Sequence, residues 1–110
     1  MTKITFHRTR AGEYQGFICE GHAGYAGYGE DIVCAAISVL IINTINSLDE
    51  ITGEKMDVTT DEDSGTIRCF FTDQPLKETS GVLMDSLVLG LTHIEEQYGK
   101  KHCKLHFKEV

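Results

Sequence analysis

One run of residues is too apolar to lie on a protein surface, and it constrains the fold more than any other part of the chain. Between Ile32 and Leu48 apolar side chains leave no polar face in the first three turns of a helix. A helix that is apolar all round is a buried helix. The spacing predicts a helix from about Ile32 to Glu50, ended by Thr52-Gly53. Such a helix needs a sheet on one side and suits a second subunit on another.

Alternation of apolar and polar residues predicts five strands around that helix. The segments are residues 3–9, 13–20, a strand marked by Met56 and Val58, 66–72 and 102–109. The positions expected to face the core are Ile4, Phe6, Phe17, Cys19, Ile67, Cys69, Phe71, Cys103, Leu105 and Phe107. Leucines at helical spacing predict a second helix from about Leu76 to Tyr98, preceded by Pro75 and stopped by Gly99.

The element order is therefore β-β-α-β-β-α-β, which predicts an α+β fold. We expect residues 1–110 to form a single two-layer domain, a mixed sheet of about five strands covered by two helices. The strand order within the sheet does not follow from this pattern.

Composition and charge indicate which partners and which cellular compartment to expect. The chain has 110 residues, 41% of them hydrophobic, and a formal net charge of −7. The negative charge disfavours direct binding of nucleic acid, which relies on Lys and Arg contacts to phosphate, and favours a basic partner. The first residues lack the apolar segment of a signal peptide, and the run Ile32–Ile42 is shorter than a bilayer span. We therefore expect a cytoplasmic protein with no membrane partner.

The four cysteines, Cys19, Cys34, Cys69 and Cys103, are expected to be free thiols in that compartment. None of them forms a C-x-x-C pair. On one strand, His102 and His106 would lie roughly 13 Å apart, too far for one metal ion. We expect no metal and no cofactor.

A thiol and an imidazole flank a glycine-rich loop before the first helix. His22 follows the second strand, and Cys34 lies three residues after Asp31, a good helix N-cap candidate. In the first helical turn, free N–H groups and the helix dipole would favour the thiolate of Cys34. The glycines of residues 21–29 would let the loop fold back so that His22 meets Cys34. This arrangement is typical of a cysteine nucleophile with a histidine base.

Each of these residues also has a plain structural interpretation. Cys34 is equally consistent with a small buried thiol, and His22 with a loop histidine bonded to backbone. Asp31 serves as the helix cap or orients His22, and the cap is favoured. Ser38, one turn after Cys34, bonds the loop, the histidine or its own helix. A phosphate site is disfavoured, because the loop lacks the P-loop pattern and Glu30 and Asp31 would repel the anion.

The stretch from Gly21 to Ser38 closely resembles the bacterial ribosomal-processing cysteine protease family, Prp. The matching residues are Gly21, His22, Ala23, Gly24, Tyr25, Ala26, Gly29, Asp31 to Ala36 and Ser38. The length of the chain and the order of its elements agree with the family from end to end.

The resemblance implies a cysteine peptidase in which Cys34 is the nucleophile and His22 the base. It implies removal of the N-terminal extension of large ribosomal subunit protein twenty-seven, a basic ribosomal protein, after an aromatic residue, by a homodimer. The loop residues Gly21, Ala23, Gly24, Tyr25, Ala26, Gly27, Tyr28 and Gly29 would contact substrate, with Asp31 and Ser38 in support. The alternative is a non-enzymatic adaptor that binds ribosomal protein or RNA, with a structural Cys34.

Overall fold

Seven elements follow one another in the predicted order. The computed structural model describes the backbone of residues 2–21 and 28–110, and the side chains of residues 2–21 and 32–110. The elements are β1 (Thr2–Arg8), β2 (Tyr14–Glu20), α1 (Tyr28–Glu50), β3 (Met56–Asp61), β4 (Thr66–Phe71), α2 (Glu78–Tyr98) and β5 (Cys103–Glu109). The predicted α+β class and β-β-α-β-β-α-β order are confirmed.

The five strands form one mixed sheet in the order β3-β4-β2-β1-β5. Strands β1 and β2 pair antiparallel, with Ile4 opposite Cys19, and β4 pairs antiparallel with both β2 and β3. Strand β5 lies parallel to β1, with Thr2 opposite Cys103. The starts of β1 and β5 therefore meet the end of β2 at one end of the sheet.

The core lies between one face of this sheet and the two helices, which pack against each other at Leu40 and Gly90. We call this the inner face. Its central side chains are fully or almost fully buried, and α1 and α2 each add one apolar row. The buried set comprises Ile4, Phe6, Phe17, Cys19, Ile67, Cys69, Phe71 and Cys103 from the strands, and Val33, Ile37, Ile41, Leu48, Met84, Leu87 and Leu91 from the helices. The predicted inward positions of the first, second and fourth strands are thus confirmed.

Two aromatic side chains at the edges of the fold are exposed, although Phe107 has the predicted inward orientation. Phe107 lies on the inner face and stacks on Phe6, but it remains 40% exposed. The reason is that β5 is an edge strand, so this ring has a neighbouring strand on one side only; the Arg8 guanidinium lies 4.3 Å from the ring centroid. Tyr98, at the end of α2, is exposed to the same extent.

Helix α1 begins about one turn earlier than the sequence predicts. It starts at Tyr28, so Tyr28 and Gly29 belong to the helix and Asp31 is its fourth residue rather than its N-cap. Residues 28–31 contain no proline, and one glycine costs a helix only about 1 kcal/mol. Helix propagation therefore continues towards the N-terminus past Asp31.

By length and composition alone, one described helix is apolar enough to cross a membrane. The segment is Ile32–Glu50 of α1, with a mean hydropathy of 1.8. It extends beyond the run Ile32–Ile42 that the sequence analysis judged too short. Core helices of soluble proteins pass the same test, and one side of α1 packs on the sheet through Val33, Ile37 and Ile41.

A hydrogen bond joins the start of β2 to α2. The phenol of Tyr14 donates to Asp85 Oδ1 at 2.7 Å, and Tyr14 is 7% exposed. Burial and this carboxylate raise the pKa of Tyr14 from 10.0 to about 12. Since the folded state binds the phenolic proton more tightly, the resulting stabilisation is complete below about pH 10 and is lost as the pH rises through 12.

We expect Tyr14→Phe to lower the free energy of unfolding by about 1–2 kcal/mol at neutral pH, measured by urea denaturation. A double-mutant cycle with Asp85→Ala should give a coupling energy of about 1 kcal/mol. The difference between wild type and Tyr14→Phe should shrink between about pH 10 and pH 12. Additive single-mutant effects would show that the bond does not stabilise the fold.

Candidate active site

Cys34 lies at the end of the sheet where β1 begins. Its Sγ is 3.6 Å from Oγ1 of Thr2, a residue that is itself fully buried. The backbone N–H of Thr2 donates to the carbonyl of His102, just before β5. The backbone of Thr2 is therefore hydrogen-bonded to the segment that leads into β5, while its hydroxyl contacts the thiol of Cys34. Cys34 itself is partly exposed.

The other three thiols are core residues, as predicted. All four cysteines are free, and Cys19, Cys69 and Cys103 are buried. Burial raises the pKa of Cys19 and of Cys69 to about 12, and that of Cys103 to about 11. The nearby Cys34 contributes to the shift at Cys19 and at Cys103, although burial is the larger cause. Cys34 is thus the one cysteine of this chain that solvent reaches.

The position of Cys34 in the helix differs from the prediction. It is the seventh residue of α1, in the second turn, whereas the N–H groups without a partner inside a helix are the first four. The backbone N–H of Cys34 is therefore not an unpaired donor at the helix end. The helix dipole also acts chiefly within the first turn, so the predicted activation of Cys34 by the helix terminus is weakened.

The predicted partner of the thiol is a histidine that follows β2. His22 and the loop residues Ala23, Gly24, Tyr25, Ala26 and Gly27 lie outside the described residues. Before them, Gly21 is exposed and has φ of 79°, a conformation that a residue with Cβ rarely adopts.

The remaining predicted residues lie on α1. Ser38 is partly buried and follows Cys34 by one turn, so the two share one side of the helix. Tyr28, Gly29 and Asp31 are placed by their backbone alone, in the first turn. The structure therefore brings Cys34 and Ser38 to one side of the helix and leaves the contact between His22 and Cys34 a prediction.

Thr2 is a site residue that the sequence analysis missed. The signal was present, because the alternation that places Ile4 and Phe6 in the core extends back to residue 2. Among the described residues no group of three or more His, Cys, Asp or Glu side chains is arranged to hold a metal ion.

Comparison with known proteins agrees with this fold. The model of the family described as cysteine protease Prp matches residues 1–103. A ribosomal processing cysteine protease Prp from Staphylococcus aureus is 29% identical over 97 residues, covering 88% of this chain and 90% of that protein.

Solved structures of Prp proteases have the same fold as this chain. The essential ribosomal processing protease Prp from S. aureus, crystallised with a substrate peptide, superposes with a TM-score of 0.90 and 25% identity. Its complex with a covalently linked product peptide gives a TM-score of 0.87 and 26% identity. Each alignment covers 98% of this chain and 100% of the other. Since the family model matches nearly the whole sequence, the chain belongs to the cysteine protease Prp family.

Proposed function

We propose that this protease removes the N-terminal extension of large ribosomal subunit protein twenty-seven, cutting after an aromatic residue. Membership of the Prp family makes the chain a cysteine protease. The observation that carries the proposal is that Cys34 alone among the four thiols is partly exposed. The S. aureus relative is named for ribosomal processing and was crystallised with a substrate peptide, which supports a ribosomal protein as substrate.

The proposed reaction is acyl transfer to Cys34. The thiolate attacks the scissile carbonyl, and His22 protonates the amine of the leaving fragment as the peptide C–N bond breaks. Water, deprotonated by His22, then hydrolyses the thioester and regenerates the thiol. The covalently linked product peptide in the S. aureus enzyme is consistent with a covalent intermediate of this kind.

Chain connectivity supports His22 as the base. Strand β2 ends at Glu20, opposite Lys3, next to the residue that contacts Cys34. His22 follows Glu20 by two residues, and two residues of chain extend by at most about 7 Å. In this proposal the rest of residues 21–29 contacts the substrate, while Asp31 and Ser38 assist in positioning the dyad.

The helix layer supports the proposed homodimer. Large apolar side chains on its outer side are at least half exposed, which is unusual for a monomer when they form one patch. They are Ile32, Val39 and Ile42 on α1, and Val82 and Leu89 on α2. We assign this patch, here called the helix-layer patch, to the contact between two copies. A single protease domain over residues 1–110, in the cytoplasm, completes the proposal.

The native protein should react with iodoacetamide at Cys34 alone at about pH 7.5. Burial holds Cys19, Cys69 and Cys103 protonated far above that pH, and it also blocks the reagent. Mass spectrometry of tryptic peptides locates the label, and the urea-unfolded protein should label at all four sites. An adaptor with a structural Cys34 would resist labelling at every cysteine.

The variants Cys34→Ser and His22→Ala should each lower cleavage of the extension peptide by about a thousandfold or more. Mass spectrometry of the digested peptide reports both the rate and the bond that is cut. His93→Ala, at an exposed position on α2, is the matched histidine control and should cleave at the wild-type rate. Wild-type cleavage by either dyad variant would show that the dyad is wrong.

Val39→Glu should dissociate the dimer, raising the dimer dissociation constant about a hundredfold or more, because it buries a carboxylate in the helix-layer patch. Light scattering coupled to size exclusion measures the mass. Val110→Glu, at a residue that is 58% exposed outside the patch, should leave the dimer intact. A wild-type monomer, or a Val39→Glu dimer, would overturn the assignment.

A further inference from the structure

No described helix or strand covers the face of the sheet opposite the helices, and the cations of this face are concentrated on three strands. We call it the outer face. Strands β1 and β5 direct the cations Lys3, Lys104 and Lys108 to it, together with His7 and His106, and β4 adds Arg68. The acidic residues with the same orientation are Glu20, opposite Lys3, and Asp57 and Asp61 on the far edge strand. The middle of this face is therefore cationic.

An aromatic platform lies at the centre of these charges. Phe70, Gly16, His7 and Lys108 occupy one row across four neighbouring strands. The rings of Phe70 and His7 approach to 5.2 Å between centroids, and the Arg68 guanidinium lies 5.3 Å from the Phe70 ring. At about 4.8 Å between strands, the row from Phe70 to Lys108 spans roughly 14 Å.

Gly16 makes this platform possible. A Cβ at this position would lie 2.5 Å from Cδ1 of Phe70 and would also collide with the carbonyl oxygen of Cys69. Glycine inside a strand costs about 0.5–1 kcal/mol relative to alanine, so its presence has a local reason. Here it lets two rings meet above the strand between them.

Basic side chains surround His7 on the outer face. Burial lowers the pKa of His7, and Lys108, Arg68 and His106 lower it further. The Nδ1 atom of His7 is buried and has no hydrogen-bond partner among the described residues. Positive charges that repel one another are a feature that an anionic ligand would compensate.

We propose that the outer face binds single-stranded RNA, with bases stacked on Phe70 and His7 and phosphates held by Arg68, Lys104 and Lys108. Flat aromatic side chains flanked by cations are the general means of holding unpaired bases and their backbone. An acidic peptide would use the cations but not the platform. We specify RNA because the chain's relatives are named for ribosomal processing, and the ribosome is built on RNA.

The net charge of −7 does not prevent this face from binding an anion at short distance. Part of the acidic excess lies elsewhere, in the turn after β3 with Glu62 and Asp63, and at the end of α1 with Asp49 and Glu50. Screening at physiological salt limits the reach of those charges to about 8 Å.

The test is fluorescence anisotropy of the full chain with a labelled oligouridine of about 12 nucleotides at low salt. Phe70→Ala should raise Kd about tenfold, and the exposed aromatic control Tyr98→Ala should not change it. Lys108→Gln should flatten the slope of log Kd against log salt by about 0.7, whereas Lys55→Gln, before the far edge strand, should leave it unchanged.

Cleavage of the extension peptide by Phe70→Ala should equal that of wild type, because this ring lies on the opposite side of the sheet from Cys34. Unchanged cleavage would show that the RNA site and the protease site are separate. The proposal is overturned if wild type does not bind the oligouridine at low salt, or if Phe70→Ala and Lys108→Gln bind as wild type does. Equal binding of a polyglutamate peptide, insensitive to Phe70→Ala, would also overturn it and indicate an acidic protein partner.

Discussion

The structure depends on the packing of α1 against the inner face of the sheet. Val33, Ile37, Ile41 and Leu48 form the buried row of this helix, and none of them is more than 1% exposed. Each such side chain contributes about 1.5–3 kcal/mol when it leaves water. Cys34 follows Val33 directly, so the same packing that stabilises the fold fixes the height of the thiol above β1. A change in this row would therefore affect stability and the site together.

Local pattern was enough to predict most of the fold. Alternation in β1, β2 and β4 identified the buried side chains, because one face of each strand packs on apolar helices while the other meets solvent. The strand order was not predictable, since the parallel pairing of β1 with β5 joins the two ends of the chain. Phe107 shows the same limit: its alternation is that of a core residue, but its exposure depends on β5 being an edge.

The sequence distinguished the four thiols by their environment but did not predict the geometry around Cys34. Cys19, Cys69 and Cys103 fell on the apolar parity of strands, which left Cys34 as the thiol with a different environment, and the structure agrees. The start of α1 was misjudged because Asp31 is an excellent cap by residue type, yet the helix continues to Tyr28. Cys34 consequently lies in the second turn, where the helix terminus has little effect on its thiol. Thr2 is the described hydroxyl in contact with it, and His22 is the proposed base.

The two faces of β1 show that net charge alone does not indicate which charged partners the surface of this molecule can attract. Thr2, Ile4 and Phe6 point inwards, where they support Cys34 and the core, while Lys3 and His7 point to the outer face. A chain with seven more acidic than basic residues can therefore present a cationic surface on one side. The two proposed partners, a basic ribosomal protein and an RNA strand, carry opposite charges, and segregated charge allows one protein to attract both. Cys34 and the proposed RNA-binding face lie on opposite sides of the sheet, so the two proposed partners do not compete for one surface.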